Sequence, residues 1–293
     1  MLNFIMIIVE QSMIYLPLIC GAYISFSLLK VPDLSLETAY LIGALSGGFV
    51  LQMTQGYSLC CSLIITVLAS VIGGMLVGLS SSSLTFFGKI PHLLSSIITF
   101  GLFQGLFLLL SNSYVSLASY DNVLMLIPSF QYHPELGTLL VINLLLVSML
   151  KYLLQTQLGY SFAIFGYNPA FFAHFKISTG YVFMTGIIIA NGLAGLAGFF
   201  FAQTNSLIEL NMGVGKALFC ITALILGKGI LYRIHTSLSV PLFGLGLYFF
   251  MQQLLLKIGF NLKYFMMIQS LVVLAILLCM YKKNHVAHDQ LGV

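Results

Sequence analysis

Few side chains in this sequence are able to do chemistry. Eleven Lys and Arg, seven Asp and Glu and six His are scattered through 293 residues. A hydrolase working inside a membrane needs a Ser with a His, or paired Asp residues, at a common depth. Ser46, in the run GALSGG, has neither at comparable depth. Gly213, Gly215 and Lys216 are similar to the end of a nucleotide-binding loop, but the four-residue spacing before Gly-Lys and the Ser or Thr after it are missing. No other stretch supplies one, so the chain is expected to hold no cofactor of its own, and any ATP must be bound by a partner. Cys20, Cys60, Cys61, Cys220 and Cys279 all fall in apolar runs, where a thiol packs as a small hydrophobe. Neither a disulfide nor a metal site is expected, and the chain is not expected to be an enzyme.

The remaining polar residues suit recognition. In 166–178, GYNPAFFAHFKIS, Asn168 offers a cap and Pro169 fits a first helical position, which predicts a helix start. Phe171, Phe172 and Phe175 then bring two or three rings to one face, with His174 and Lys176 near the end. Such a helix of about two turns either lies in the membrane interface or docks into a groove on another protein. Glu37 sits one turn inside a helix that starts afresh after Pro32 and Asp33. It either complements that helix's positive end or faces the bundle interior, because an acid facing lipid is costly. Asn191, Gly195, Gly198 and Ala202 form a stripe of small residues in line with an amide, so Asn191 is either an interhelical hydrogen-bonding residue or a solute contact. Glu209 and Asn211 follow just beyond that segment, as solvated loop residues or as the first groups an incoming solute meets. The pairs Gly43 and Gly47, Gly74 and Gly78, and Gly101 and Gly105 predict close helix-packing faces.

The elements that must carry these residues follow from hydropathy. Hydrophobic residues make up 60% of the chain and charged residues 6%, with a mean hydropathy of +1.07, against a charged share of about 25% in soluble domains. A bilayer core needs roughly 20 apolar residues per helix. The apolar runs are continuous rather than alternating, which excludes a β-barrel. About nine spans result: 3–29, 35–53, 59–79, 90–110, 136–154, 179–203, 213–232, 237–256 and 264–281. They form one all-α polytopic domain over 1–281, followed by a short tail, 282–293. The first run lacks the positive n-region and cleavage site of a signal peptide and is expected to stay as a span. The polar-leaning connections 111–134 and 155–178 lie on opposite sides. With 155–178 in the cytosol, Lys30, Lys89, Lys151, Lys176, Arg233, Lys282 and Lys283 fall inside and only Lys257 and Lys263 outside. That orientation places the N-terminus outside and the C-terminus inside. The net charge of +4 is dispersed, and no basic stripe suggests nucleic acid.

Four stretches in order also carry a family resemblance: PDLSLETAYLIGA (32–44), LGYSFAIFGYNPAFFAHFKIS, NGLAGLAGFFFAQ, and IELNMGVGKALFCITALILGKGIL. Together with 90–117 they cover roughly 28–231. The chain resembles the permease subunits of bacterial ABC importers of the branched-chain amino acid and ribose class, closest to a branch reading G-E-N-P and N-M-G-I-G. The resemblance implies that Gly166, Asn168 and Pro169, with Phe171, Phe172 and Phe175, form a cytosolic coupling helix near 168–176 that seats in an ABC ATPase subunit. It further implies a second permease copy, an extracytoplasmic solute-binding protein, a bacterial inner-membrane location, and an amino acid or similar small polar solute. Glu37, Asn191, Glu209 and Asn211 become the candidates along the translocation path. Where the family has Arg and Glu in the loop this chain has Ala163 and Tyr167, so contact with the ATPase would rest on the Phe rings, at about 1.5–3 kcal/mol per fully buried ring. Lys228 stands where the family commonly has Glu. An ion-coupled secondary transporter is the main alternative; it would usually show charged pairs at the midplane and an internal repeat.

Overall fold

The structure is a computed structural model and describes residues 2–111, 113–127, 133–174, 178–231, 238–259, 264, 267–271 and 274. Ten α-helices and two short strands are found among them: α1 (Leu2–Ala22), α2 (Ser35–Met53), α3 (Leu59–Gly88), α4 (His92–Leu110), β1 (Tyr114–Ser116), α5 (Leu136–Gln155), α6 (Gln157–Tyr167), α7 (Phe171–His174), α8 (Thr179–Asn205), β2 (Leu207–Glu209), α9 (Lys216–Ile230) and α10 (Ser239–Lys257). A π-helical turn, Tyr23–Leu28, extends α1, and a 3₁₀ turn, Val123–Leu126, lies between β1 and α5. Six helices among the described residues are long and apolar enough to cross a membrane. The less apolar α2 and the shorter α9 bring to eight the expected spans that have a helix. The ninth, 264–281, lies mostly outside the described residues, as do the tail 282–293, Phe175, Lys176, Arg233, Lys263 and Cys279.

The buried hub is α8, whose residues from Ala190 to Phe200 are almost all removed from the surface. It packs against α1, α2 and α3. Gly43 of α2 meets the Gly195 backbone so closely that no Cβ fits between them, which is the close approach that small residues permit between membrane helices. Gly74 and Gly78 of α3 press on α8 in the same way, at Asn191 and Ile187. Gly101 and Gly105 do not: an added Cβ would meet nothing within 4 Å at either position, so this pair of α4 packs on no helix among the described residues. The spacing of the two glycines is right, but the face they share points away from the hub.

Two boundaries depart from the hydropathy reading. Helix α3 runs nine residues past Leu79, through a serine run in which Ser80 donates to the Leu76 carbonyl and Ser82 to that of Gly78, so that these two hydroxyls need no water. Helix α9 has only 15 residues, about 22 Å at 1.5 Å per residue, less than a full crossing.

The bundle has two distinguishable ends. At one, β1 pairs antiparallel with β2, Tyr114 opposite Glu209. There Glu135 accepts from Asn122 and Thr204, while His133 Nδ1 lies 2.8 Å from Glu10. At the other end lie α6, α7, the C-termini of α3 and α9, and the start of α8.

Candidate functional site

At the α6–α7 end, most of 155–178 is helix rather than loop. Asn168 closes α6 as well as leading into the next helix: its N–H donates to the Ile164 carbonyl at 2.8 Å, and its φ of −152° is extended. The Asn168 carbonyl then accepts from Phe171 and the Pro169 carbonyl from Phe172, so the next helix, α7, is a single turn beginning at Phe171. Of the expected helix near 168–176, the described residues show Phe171–His174, and Phe175 lies outside them. The rings do not share one outward face. Phe172 is buried at 2% exposure while Phe171 is 41% exposed, and the two rings stand edge to face at 6.0 Å. Gly166 touches the Leu28 carbonyl with no space for a Cβ, which locks α6 onto the π turn of α1. Tyr167, standing where the resemblance leads one to expect Glu, lies under the Lys30 ammonium at 3.5 Å from the ring centroid, a cation–π contact in place of an ion pair.

Inside the bundle, Asn191 belongs to a buried polar network. Its Nδ2 donates to Asp33 Oδ2 at 3.0 Å and to the Ile187 carbonyl at 2.9 Å, and its Oδ1 accepts from Ser35 Oγ at 3.1 Å. Asp33 Oδ1 also accepts from the N–H of Ser35 and shares the single Ser35 hydroxyl proton with Asn191 Oδ1. His92 Nε2 lies 3.4 Å from Asp33 Oδ1, and the other ring nitrogen is 3.1 Å from Thr85 Oγ1. Burial pushes the Asp33 carboxyl up, but His92 and the Ser35 donors outweigh it and leave Asp33 below the usual carboxylate range. Asn191 is fully buried and ties α8 to the start of α2; among the described residues it lines none of the larger cavities. Asp33 and His92 were not among the sequence candidates. The one signal for them was that Pro32-Asp33 and Pro91-His92 each interrupt an apolar run.

Glu37 lies in the first turn of its own helix, α2, and serves the start of a second one as well. Its Oε1 accepts the Ala217 N–H at 3.0 Å and so caps the start of α9. Eleven residues further along α2, Gly48 packs on Ile208 of β2. That separation, about 16 Å along the α2 axis, sets the N-terminus of α9 well below β2, within the bundle. Lys216, the first residue of α9, donates from Nζ to Tyr15 Oη at 2.9 Å and lies 4.6, 5.5 and 5.2 Å from the ring centroids of Tyr15, Tyr40 and Phe201. Beside it opens a cavity of about 200 Å³ between α1, α9 and α10. Glu209, in β2, and Asn211, in the turn leading down to α9, are both exposed at the rim. None of Glu37, Asn191, Glu209 and Asn211 lines this cavity; Lys216, Tyr15 and Gln252 do.

Residues 4–277 match the sequence profile of the permease component of branched-chain amino acid transport systems. The chain belongs to that family. The permease is 29% identical over 266 residues to an uncharacterized protein of Rickettsia prowazekii, covering 89% of this chain and 91% of the relative. It is 28% identical over 225 residues, 75% of this chain and 71% of the other, to a tyrosine transport system permease protein of Clostridioides difficile. To an autoinducer 2 import system permease protein of Photorhabdus laumondii it is 29% identical over 178 residues, 60% and 52% of the two chains. No solved structure gives a significant match. As a permease of this family, the chain is a polytopic all-α membrane protein.

Proposed function

We propose that the permease forms the solute pathway of an ATP-driven importer in a bacterial inner membrane, with the α6–α7 end in the cytosol seated on an ABC ATPase subunit and the β1–β2 end receiving solute from a binding protein. The observation that carries this reading is the α6–α7 turn itself. It holds a half-exposed Phe171 outward while Gly166 and Phe172 bind it rigidly to the body of the bundle. A push on that turn passes through Gly166 to the π turn of α1 and through Phe172 to the core, a lever of the kind that couples rigid-body shifts between subunits. Orientation is supported by charge. Lys30, Lys89, Lys151 and Lys228 lie toward the α6–α7 end, against Lys257 at the other, and short basic segments prefer the cytosol. Two copies are expected to surround the pathway. The relatives named for tyrosine and for autoinducer 2 transport point to small polar solutes, with an amino acid the first choice for this chain.

Two measurements test the reading. Ala170→Cys, placed on an exposed backbone turn in a chain whose native cysteines are replaced, is expected to react with a membrane-impermeant maleimide in inverted vesicles and not in intact cells. Reaction in intact cells refutes the orientation. Affinity purification from the native membrane is expected to bring down an ABC ATPase, and Phe171→Ala is expected to weaken that association by up to about 1.5–3 kcal/mol. An unchanged yield with Phe171→Ala removes the α7 turn from the interface.

A further inference from the structure

The cavity beside Lys216 is not used by the lever. Its walls are Tyr15 of α1, Lys216 and Phe219 of α9, and Tyr248, Phe249 and Gln252 of α10. The rings form one connected group: Tyr15 to Phe219 at 5.3 Å, Tyr15 to Phe249 at 5.5 Å and Phe219 to Tyr248 at 4.6 Å. Lys216 carries three N–H donors. One goes to Tyr15; the ammonium also faces the rings of Tyr15, Tyr40 and Phe201 and the charge of Glu37, and its other two N–H groups have no hydrogen-bond acceptor among the described residues. An ammonium held at this depth is costly and marks a functional position. The helix start beside it is already satisfied by Glu37, so an arriving anion meets the Lys216 ammonium rather than free backbone donors. Gln252 also lines the cavity, and its buried Oε1 is an acceptor with no hydrogen-bond partner among the described residues. A cation with spare donors, a wall of packed aromatic rings and an unpartnered acceptor line a space of about 200 Å³.

We infer that this cavity is a holding site for an aromatic amino acid, with its carboxylate on Lys216 Nζ, its ring against the wall formed by Tyr15, Phe219 and Tyr248, and its ammonium on Gln252 Oε1. The inference rests on the import reading and adds a solute class and a place in the pathway to it. A site of this kind lets the membrane subunit discriminate among solutes instead of passing whatever is delivered.

The chain contains no Trp, so L-tryptophan fluorescence reports binding to the purified full-length permease in lipid nanodiscs without background. L-Tryptophan and indole-3-propionate, which lacks the ammonium, are expected to bind saturably, and tryptamine, which lacks the carboxylate, at least about tenfold more weakly, the scale of one charge-assisted hydrogen bond. Lys216→Met is expected to reduce L-tryptophan affinity by a similar factor while leaving tryptamine unchanged, and Lys216→Arg to retain most of it. Gln252→Leu is expected to weaken L-tryptophan but not indole-3-propionate. The inference is overturned by absence of saturable binding to the unaltered permease, by tryptamine binding as tightly as L-tryptophan, or by undiminished L-tryptophan binding in Lys216→Met. Should Lys216→Met fail to fold, the Gln252→Leu selectivity and the ligand series on the unaltered protein decide. Loss of this binding pattern with ATPase capture intact removes the site and leaves the importer. The converse result removes the importer and leaves the site.

Discussion

Replacing Asn191 by Asp changes one atom type and no volume, and it strikes the junction that ties α2 to α8. In the unaltered protein Nδ2 of Asn191 donates to Asp33 Oδ2 at 3.0 Å. After Asn191→Asp, two carboxylate oxygens face each other there. The lost hydrogen bond to a charged group is worth about 1.5–3 kcal/mol. Repulsion between two charges about 4 Å apart is on the order of 4 kcal/mol at an effective dielectric near 20, so the electrostatic term dominates. It is avoided if one carboxyl takes a proton and donates to the other, at a cost of about 1.4 kcal/mol for each pH unit above an ordinary carboxylate pKa near 4.

At pH 8 that proton would cost about 5.6 kcal/mol, more than the repulsion, so the deficit is flat down to about pH 7 and then shrinks by about 1.4 kcal/mol per unit, leaving about 1.4 kcal/mol at pH 5. The sign is opposite for Asp33 in the unaltered protein. Its lowered pKa contributes stability that is complete above the unfolded carboxylate range, near 4, and is lost only as pH falls through the folded value. Within pH 5 to 8 that contribution is flat. The assay is thermal unfolding of both proteins in the same nanodiscs at four pH values. The expected deficit at pH 8, about 4 kcal/mol, corresponds to a melting temperature lower by roughly 8–16 °C at 2–4 °C per kcal/mol, shrinking by more than half at pH 5. Equal melting temperatures at pH 8, or a deficit independent of pH, would refute the assignment of Asn191 and Asp33 to one buried network.

Three further outcomes follow from the packing. Gly43→Val has no space against Gly195 and is expected to abolish a monodisperse peak in size-exclusion chromatography, whereas Gly101→Leu and Gly105→Leu, with nothing within 4 Å, leave the monomer fold intact; loss of a dimer peak in those two variants would place the second copy on α4. Glu37→Gln keeps an acceptor for Ala217 and is expected to lower stability by only about 0.3–1 kcal/mol, the dipole contribution of the charge, while Glu37→Ala costs more; a thermal melt that ranks the two equally contradicts the capping role. Tyr167→Ala removes the ring beneath Lys30 and is expected to cost about 0.5–1 kcal/mol, whereas Tyr167→Glu restores a partner of opposite charge and melts within about 0.5 kcal/mol of the unaltered protein; a larger drop for the Glu variant would show that the ring is needed for more than the cation.

The membrane class, the helical nature of the chain and the positions of the helices at eight of the nine expected spans are legible in hydropathy, because a bilayer demands long apolar runs whatever the neighbours. The family resemblance likewise rests on local strings, and the profile match over 4–277 agrees with it. The glycine stripe of α8 could be read as a packing face from spacing. Which glycine pairs find a partner could not, since Gly43 and Gly101 sit in equivalent local patterns and differ only in what the fold sets against them. The Asn-Pro pair does lead into α7, but Asn168 also closes the preceding helix, α6, which hydropathy assigned to a loop because it is short and only half-buried.

What escaped the sequence was pairing at long range. Asp33 and Asn191 are separated by 158 residues and Glu37 and Ala217 by 180, and nothing in either neighbourhood names the other. Composition required that rare charged groups in such a chain be partnered, since water is absent there to solvate them. The choice of partner was made by the crossing of α2 over α8 and by the descent of the chain from β2 to the start of α9. Oily runs are a property of consecutive residues, whereas a buried ion's partner depends on which helices the folded bundle brings within 3 Å of one another.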